Sequence, residues 1–180
     1  MTHTTDSETG ALKMRPAHPE DIPAIARIER IPEYRAFIGR YTEEQHAVLL
    51  ASPDSAYWVL ESPDDKILGF CLLCGLLSPH KSIELRRIAL AHAGGGLGKL
   101  FFAFLLQKIF SLYGAHRVWL DVFEGNPRAR HLYRSFGFRE DGLLRESVLR
   151  DGHYYTHLLM SMLDREYRPV DCISRANPSF

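Results

Sequence analysis

The sequence predicts a single α/β domain on a mixed, mostly antiparallel sheet flanked by helices, and three stretches carry that prediction. Ser82 to Ala91 reads as a strand that runs into the glycine-rich segment HAGGGLGKL (His92 to Leu100). An amphipathic helix follows from Leu97, and then a strand at His116 to Phe123, which completes a βαβ unit. Ser62-Pro63-Asp64-Asp65 separates two apolar runs, Tyr57 to Leu60 and Ile67 to Leu77, and marks a hairpin. Asp151-Gly152, between Arg145–Arg150 and His153–Leu163, is a two-residue turn signal that closes the domain with a second hairpin. A chain of 180 residues suits one domain with a substantial core. We assign that domain to residues 11–164, with a polar, flexible N-terminus at 1–10 and a tail without clear period at 165–180.

The remaining elements follow in order. Ala11 to Arg15 alternates weakly and reads as a first strand. Pro19-Glu20-Asp21 places proline and two acids in the first turn of a helix that carries Ile22, Ile25 and Ile28 and ends before Pro32. Tyr34 to Leu50 has aromatic and apolar residues at helical intervals, interrupted at Gly39, and Thr42 with Gln45 fits a capping box. Leu97, Leu100, Phe101, Phe104, Leu105, Ile109 and Leu112 form the stripe of a helix about four turns long, which Gly114 punctuates. Val118, Leu120 and Val122 share one face of the next strand. Asn126-Pro127 joins a capping acceptor to the residue pre-set for the first helical position, and Gly137 ends that helix.

Composition narrows the function classes. Lys+Arg and Asp+Glu both number 22, so nothing favours nucleic acid or an acidic membrane as partner. Met1 to Gly10 lacks the apolar run of a signal peptide, and no stretch approaches the roughly 20 apolar residues of a membrane span, so a cytoplasmic protein is expected. Cys71 and Cys74 sit in an apolar run and, with Cys172, read as core thiols and not as a redox or zinc motif. The nine histidines show no HExxH spacing, and no metal is expected.

Gly94, Gly95, Gly96 and Gly98 exceed what one turn requires. They expose backbone amides at a helix start, where the positive end of the helix dipole attracts phosphate, with Lys99 close behind. The dinucleotide pattern G-x-G-x-x-G fails because Lys99 stands where the third glycine belongs. The nucleotide P-loop fails at Ala93, where its first glycine belongs, and at Leu100, where a hydroxyl would hold magnesium.

Glu84-Leu85-Arg86-Arg87-Ile88-Ala89-Leu90, Gly94 to Lys99, Asn126, Ala129, Leu132-Tyr133 and Gly137-Phe138 together resemble the GCN5-related N-acetyltransferases (GNAT). Arg150-Asp151-Gly152 with Tyr154, Met160 and Ser161 is similar to the branch that includes ribosomal-protein alanine acetyltransferases. The resemblance implies a sheet splayed in the middle, with acetyl-coenzyme A in the gap and its pyrophosphate on Gly94, Gly95, Gly96, Leu97, Gly98 and Lys99. It implies that the backbone N–H groups of Ile88, Ala89 and Leu90 hold the acyl carbonyl, and that Asn126, Ala129, Arg130 and Tyr133 face the coenzyme. Where the family commonly opens the loop with arginine or glutamine this chain has Ala93, which leaves phosphate binding to the amides and Lys99. The implied reaction is direct acetyl transfer to a primary amine, on a small molecule or a protein N-terminus, without a covalent enzyme intermediate.

At 100° per residue Asn126, Arg130 and Tyr133 fall within about 60° of one another on one helix face. Tyr133 matches the family's general acid. An ordinary tyrosine near pKa 10 is a weaker acid than a thiol near 8.5, so full proton transfer would be uphill by roughly 2 kcal/mol, and hydrogen-bond donation to the leaving sulfur is the expected role. Glu84 is the candidate base, with His80 and His92 as rivals at either end of its strand, whereas His153 and His157 read as hairpin residues. Arg35, Phe37, Arg40 and Tyr41 are the candidate acceptor-pocket residues, and arginines there suit an acidic group on the acceptor. A homodimer paired along the last strand is a further expectation. The rival readings are an acyl-coenzyme A-binding module without turnover and a dinucleotide-dependent oxidoreductase.

Overall fold

The computed structural model describes residues 12–92 and 94–169. The expectations for residues 1–11, Ala93, Cys172 and the rest of the tail therefore fall outside the described residues. Seven strands form one sheet in the order β1-β2-β3-β4-β5-β7-β6: β1 (Lys13–Pro16), β2 (Ser55–Glu61), β3 (Ile67–Cys74), β4 (Ser82–Leu90), β5 (Arg117–Phe123), β6 (Arg139–Arg150) and β7 (His153–Leu163). Every neighbouring pair is antiparallel except β4 with β5, the pair joined by the predicted βαβ crossover. The mixed, mostly antiparallel sheet is thus observed.

Helices α1 (Ile22–Glu29) and α2 (Glu43–Ala51) cover one face of the sheet, and α3 (Leu97–Gln107) and α4 (Pro127–Ser135) the other. The period of two in a strand sends Tyr57 and Val59 of β2 to the α1 side and Trp58 and Leu60 to the α3 side. Because both faces are covered, β2 and β3 read as near-continuous apolar runs instead of alternating. Phe101, Phe102, Leu105 and Leu106 of α3 fill the second core against Leu120, Met160 and Tyr133. Cys71 and Cys74 are buried in these layers, and burial pushes the Cys74 thiol up to about 11 and the Cys71 thiol higher still.

Three segments differ from the sequence expectation. Tyr34 to Tyr41 is not helical: a single 3₁₀ turn at Pro32–Tyr34 leads into irregular chain, and helix begins only where Thr42 and Gln45 make the predicted reciprocal cap. Strand β6 starts at Arg139, six residues before Arg145. Its early part contains Gly142 and lacks alternation, and two register shifts, at Glu140/Gly142 and Leu144/Val148, absorb the irregularity. The tail does not leave the domain at 165, since a 3₁₀ turn at Asp164–Glu166 lays Tyr167 on Phe110, with ring centroids 4.7 Å apart. Among the described residues no three His, Cys, Asp or Glu side chains converge as metal ligands, and no helix is long and apolar enough to cross a membrane.

Candidate active site

The parallel pairing of β4 with β5 is short. Ser82, Ile83 and Glu84 pair with Arg117, Val118 and Trp119, and beyond them the two strands separate. On the other side β4 stays with β3 to its end, but Arg86 is an extra residue between the pairs Leu73↔Leu85 and Leu72↔Arg87. Such a bulge bends the strand that carries it, and this one sits where the sheet begins to open. The ladder then fixes which amides face the gap. Ala91 donates to Leu68 across β3, so Ala89 and Arg87 share that orientation, and the N–H groups of Ile88 and Leu90 point into the split. Ala89 therefore turns its amide to β3 and offers no donor to the split, unlike the expectation for it. The Leu90 N–H donates to the Tyr34 hydroxyl at 3.0 Å, and that hydroxyl donates to the Leu90 carbonyl at 2.9 Å, which leaves the Ile88 N–H as the inward donor for which no bond is seen among the described residues.

The glycine loop sits at the C-terminal end of β4. Gly94, Gly95 and Gly96 all have positive φ (120°, 60° and 76°), a run only glycine tolerates, and a Cβ built on any of the three would meet open space. Gly96 caps α3 from the left-handed region with no side-chain acceptor, so the amides of Gly98 and Lys99 in the first turn remain available. Helix α4 is different, because Asn126 accepts from the Ala129 N–H at 3.1 Å and occupies its own helix end. The arrangement fits a phosphate-bearing ligand at α3 specifically, with bare amides, the dipole's positive end and Lys99 in one place. Replacing Gly95 by valine is expected to cost about 1–2 kcal/mol of stability in the left-handed region. It also fills the approach to the amides, and the loss of one charge-assisted hydrogen bond lowers coenzyme affinity at least roughly tenfold. Thermal unfolding and calorimetry measure the two effects separately.

Asn126, Ala129 and Arg130 are half-buried along α4, and Tyr133 is buried on the same helix. Arg130 turns back to donate to the Glu124 carbonyl at 3.0 Å. The Tyr133 ring lies against Phe102 and Phe138, and its hydroxyl has no hydrogen-bond partner among the described residues. Burial pushes this phenol well above the ordinary tyrosine value, and the charge of Asp121 adds to the shift. The group holds its proton, which suits a hydrogen-bond donor.

The irregular Tyr34–Tyr41 segment spans the mouth of the split. Tyr34 is bonded to β4, while the Phe37 ring packs on Phe123 at the end of β5, with centroids 5.8 Å apart, and Arg150 of β6 donates to the Arg35 carbonyl at 3.1 Å. Arg35, Phe37 and Arg40 are exposed, and Tyr41 is half-buried.

Beneath the segment lies a polar cluster that sequence reasoning missed. The Arg87 guanidinium stacks 3.6 Å over the Tyr41 ring, donates to the Gly39 carbonyl and pairs with Glu29 at 2.6 Å. Glu29 also accepts the Tyr41 N–H at 3.0 Å, and His46 Nε2 lies 3.4 Å from it in electrostatic contact without a well-formed hydrogen bond, while His46 Nδ1 bonds the Tyr57 hydroxyl at 2.8 Å. Burial alone would raise the Glu29 carboxyl, but His46, the Tyr41 amide and the Arg87 charge outweigh it and hold it below the usual carboxylate range. Each member is an ordinary polar residue in the sequence, and only the fold brings them together.

Glu84 is on the α2-facing side at the closed end of the split, where its carboxylate accepts from Arg86 at 2.6 Å. It borders a 240 Å³ cleft with Asp54, Cys74 and Trp119, and lies roughly 13 Å of strand from Ile88. His80 and His92 are exposed. His157 is buried on β7 opposite Phe123, at the open end of the split.

Residues 23–138 match the acetyltransferase (GNAT) family pattern, a span that includes the splay, the glycine loop and α4. The chain belongs to the GNAT family of acetyltransferases. Among curated GNAT relatives it is 31% identical over 111 residues to spermidine N(1)-acetyltransferase of Vibrio cholerae, a match covering 61% of this chain and 64% of that protein. It is 42% identical over 53 residues to spermine/spermidine N(1)-acetyltransferase of Bacillus subtilis, covering 29% of this chain and 35% of that one. The chain thus matches less than two thirds of the length of these relatives. Among solved GNAT structures, a chimera built on Vibrio cholerae spermidine N-acetyltransferase superposes with a TM-score of 0.79 at 25% identity, over 88% of this chain and 98% of that one. The same enzyme in complex with CoA and spermine gives 0.78 at 24%, over 87% and 98%, a likeness of fold. These relatives are polyamine acetyltransferases, so the comparisons support the family and not the ribosomal-protein branch that the closing hairpin resembles.

Proposed function

We propose that this protein transfers an acetyl group from acetyl-coenzyme A directly to a primary amine. The observation that carries the reading is the split between β4 and β5, with inward N–H groups at its edge, an uncapped glycine-rich helix start at one end and the Tyr133 hydroxyl alongside. Acetyl-coenzyme A supplies an activated acyl group on a sulfur that departs as thiolate. Gly94, Gly95, Gly96, Leu97, Gly98 and Lys99 would hold its pyrophosphate, with Asn126, Ala129 and Arg130 along its flank. The Ile88 amide stabilises negative charge as it develops on the acyl oxygen, as a donor already aimed into the split. Tyr133 donates a hydrogen bond to the departing sulfur.

The acceptor is a small-molecule amine or a peptide N-terminus, entering past Arg35, Phe37, Arg40 and Tyr41. The polyamines named for the relatives are the first acceptors to test. The Arg35 and Arg40 guanidinia, which have no acidic partner among the described residues, favour an acceptor with an acidic group, so the test panel carries both kinds. The last strand, β7, is paired on both sides by β5 and β6, so the expected dimer along it has no free edge to use; the partner we propose for the outer strand β6, twelve residues long with Leu143, Leu144 and Leu149 exposed, is a second copy of the chain. Light scattering on the purified protein is expected to report a dimer. Calorimetric titration tests the coenzyme reading: acetyl-coenzyme A is expected to bind at micromolar strength and NADH not to bind, whereas NADH binding alone would return the glycine loop to a dinucleotide role.

A further inference from the structure

Acyl transfer from a thioester needs a proton acceptor on the amine side, and Glu84 is held by Arg86 at the closed end of the split. At the open end a different group is in place. His157 pairs with Phe123 across β5 and β7, which puts the two side chains on the same face of the sheet, and their rings lie 6.0 Å apart. This is the face where Phe37 of the acceptor segment also meets Phe123. The His157 side chain is only 10% exposed. Its Nδ1 lies 3.2 Å from the Ser147 hydroxyl of β6 and 3.9 Å from the Asp121 carboxylate of β5. Its Nε2 has no hydrogen-bond partner among the described residues. Tyr133 reaches the split from the opposite side, since it belongs to the core that α3 and α4 build with Leu120 and Leu158.

We propose that His157 is the base that accepts the proton of the attacking amine, through Nε2, with Ser147 as the positioning residue that bonds Nδ1 and the Asp121 carboxylate, 3.9 Å from Nδ1, as the charge that stabilises the imidazolium. A histidine whose one nitrogen faces a carboxylate and a hydroxyl, and whose other nitrogen has no partner among the described residues, is oriented to receive a proton at that other nitrogen. The inference rests on the acetyltransferase reading. In the step, the amine nitrogen bonds to the acyl carbon and gives one proton to Nε2 while the carbon–sulfur bond breaks. The sulfur takes the electron pair and the Tyr133 hydrogen bond, and the imidazolium proton returns through solvent to give the free thiol. One N–H is lost and one S–H is gained, with no other reactant.

The test compares wild-type protein with His157→Ala and His157→Gln, thermal unfolding showing that at least one variant folds. The proposal expects kcat to fall about 100-fold with acetyl-coenzyme A affinity unchanged by calorimetry, and added imidazole to restore turnover to the alanine variant. Asp121→Asn is expected to lower kcat about tenfold, less than loss of the base itself and still rescuable by imidazole. A second readout needs no turnover: in the protein–coenzyme A complex, adding the acceptor amine is expected to shift the imidazole proton resonance that His157→Gln removes. A kcat within about twofold of wild type in a folded variant, or no shift of that resonance, overturns the assignment. Wild-type protein that binds acetyl-coenzyme A but acetylates no amine overturns the acetyltransferase reading itself, and the base with it.

Discussion

Tyr133→Phe is expected to lower kcat by about 100-fold or more and to leave acetyl-coenzyme A affinity nearly unchanged, as measured by thiol release and calorimetry. The substitution removes one oxygen from a ring that packs on Phe102 and Phe138, so the core keeps its shape. The hydroxyl has no partner within the described residues, so its loss orphans no other buried group. What is lost is a donor toward charge that exists only while the thiolate departs, and general acid contributions of this kind are worth roughly 10²–10⁴ in rate. Burial and Asp121 push the phenol up, so it stays protonated throughout the neutral range and no loss of activity from its ionisation is expected below pH 10. An unaltered rate in Tyr133→Phe would remove this residue from the mechanism.

Arg87→Met is expected to destabilise the protein by about 3–5 kcal/mol, because it leaves Glu29 buried beside an apolar side chain. In a chain of this size that corresponds to a fall in Tm on the order of 10 °C. The double variant Glu29→Gln/Arg87→Met removes the uncompensated charge and is expected to recover much of the loss. The single variant also releases the Gly39 carbonyl and the Tyr41 ring, so the acceptor KM is expected to rise more than that of acetyl-coenzyme A. Acid acts on the same group. Glu29 is held below the usual carboxylate range in the folded protein, so its contribution is fully present above the unfolded value near 4.5 and is lost as pH falls through the lower folded value. Asp21 behaves alike: burial raises it, but the bond from Arg15 prevails, so both carboxylates drive unfolding below about pH 4. Glu29→Gln should flatten the acid limb of a urea-denaturation series, and an unchanged limb would count against the pair.

Local signals accounted for much of this architecture. The Thr42–Gln45 cap, the Asn126–Pro127 helix start and the Asp151-Gly152 turn act within a few residues and were legible, as was the glycine loop, whose residues have no other use for three consecutive positive φ values. The Tyr34–Tyr41 segment was not legible, because its aromatic spacing imitates a helix while its partners, Leu90, Phe123 and Arg87, lie across the fold. The role proposed for His157 is illegible in sequence for the same reason. A histidine in a hairpin strand carries no mark of the Asp121 and Ser147 side chains that β5 and β6 bring to it. Glu84 is the reverse case: the sequence places it on β4, and the period of two puts Arg86 on the same face, where its guanidinium takes the carboxylate.

Acetyl transfer itself is read by release of coenzyme A thiol from acetyl-coenzyme A by the purified wild-type protein, with a panel of polyamines, amino acids and peptide N-termini and mass spectrometry of the products. At least one amine is expected to gain a single acetyl group in proportion to the thiol released, with no acetyl group on the protein itself. Tight acetyl-coenzyme A binding with thiol release no greater than in protein-free controls for every amine would contradict this, and would make this split sheet a site that holds the acyl donor without using it.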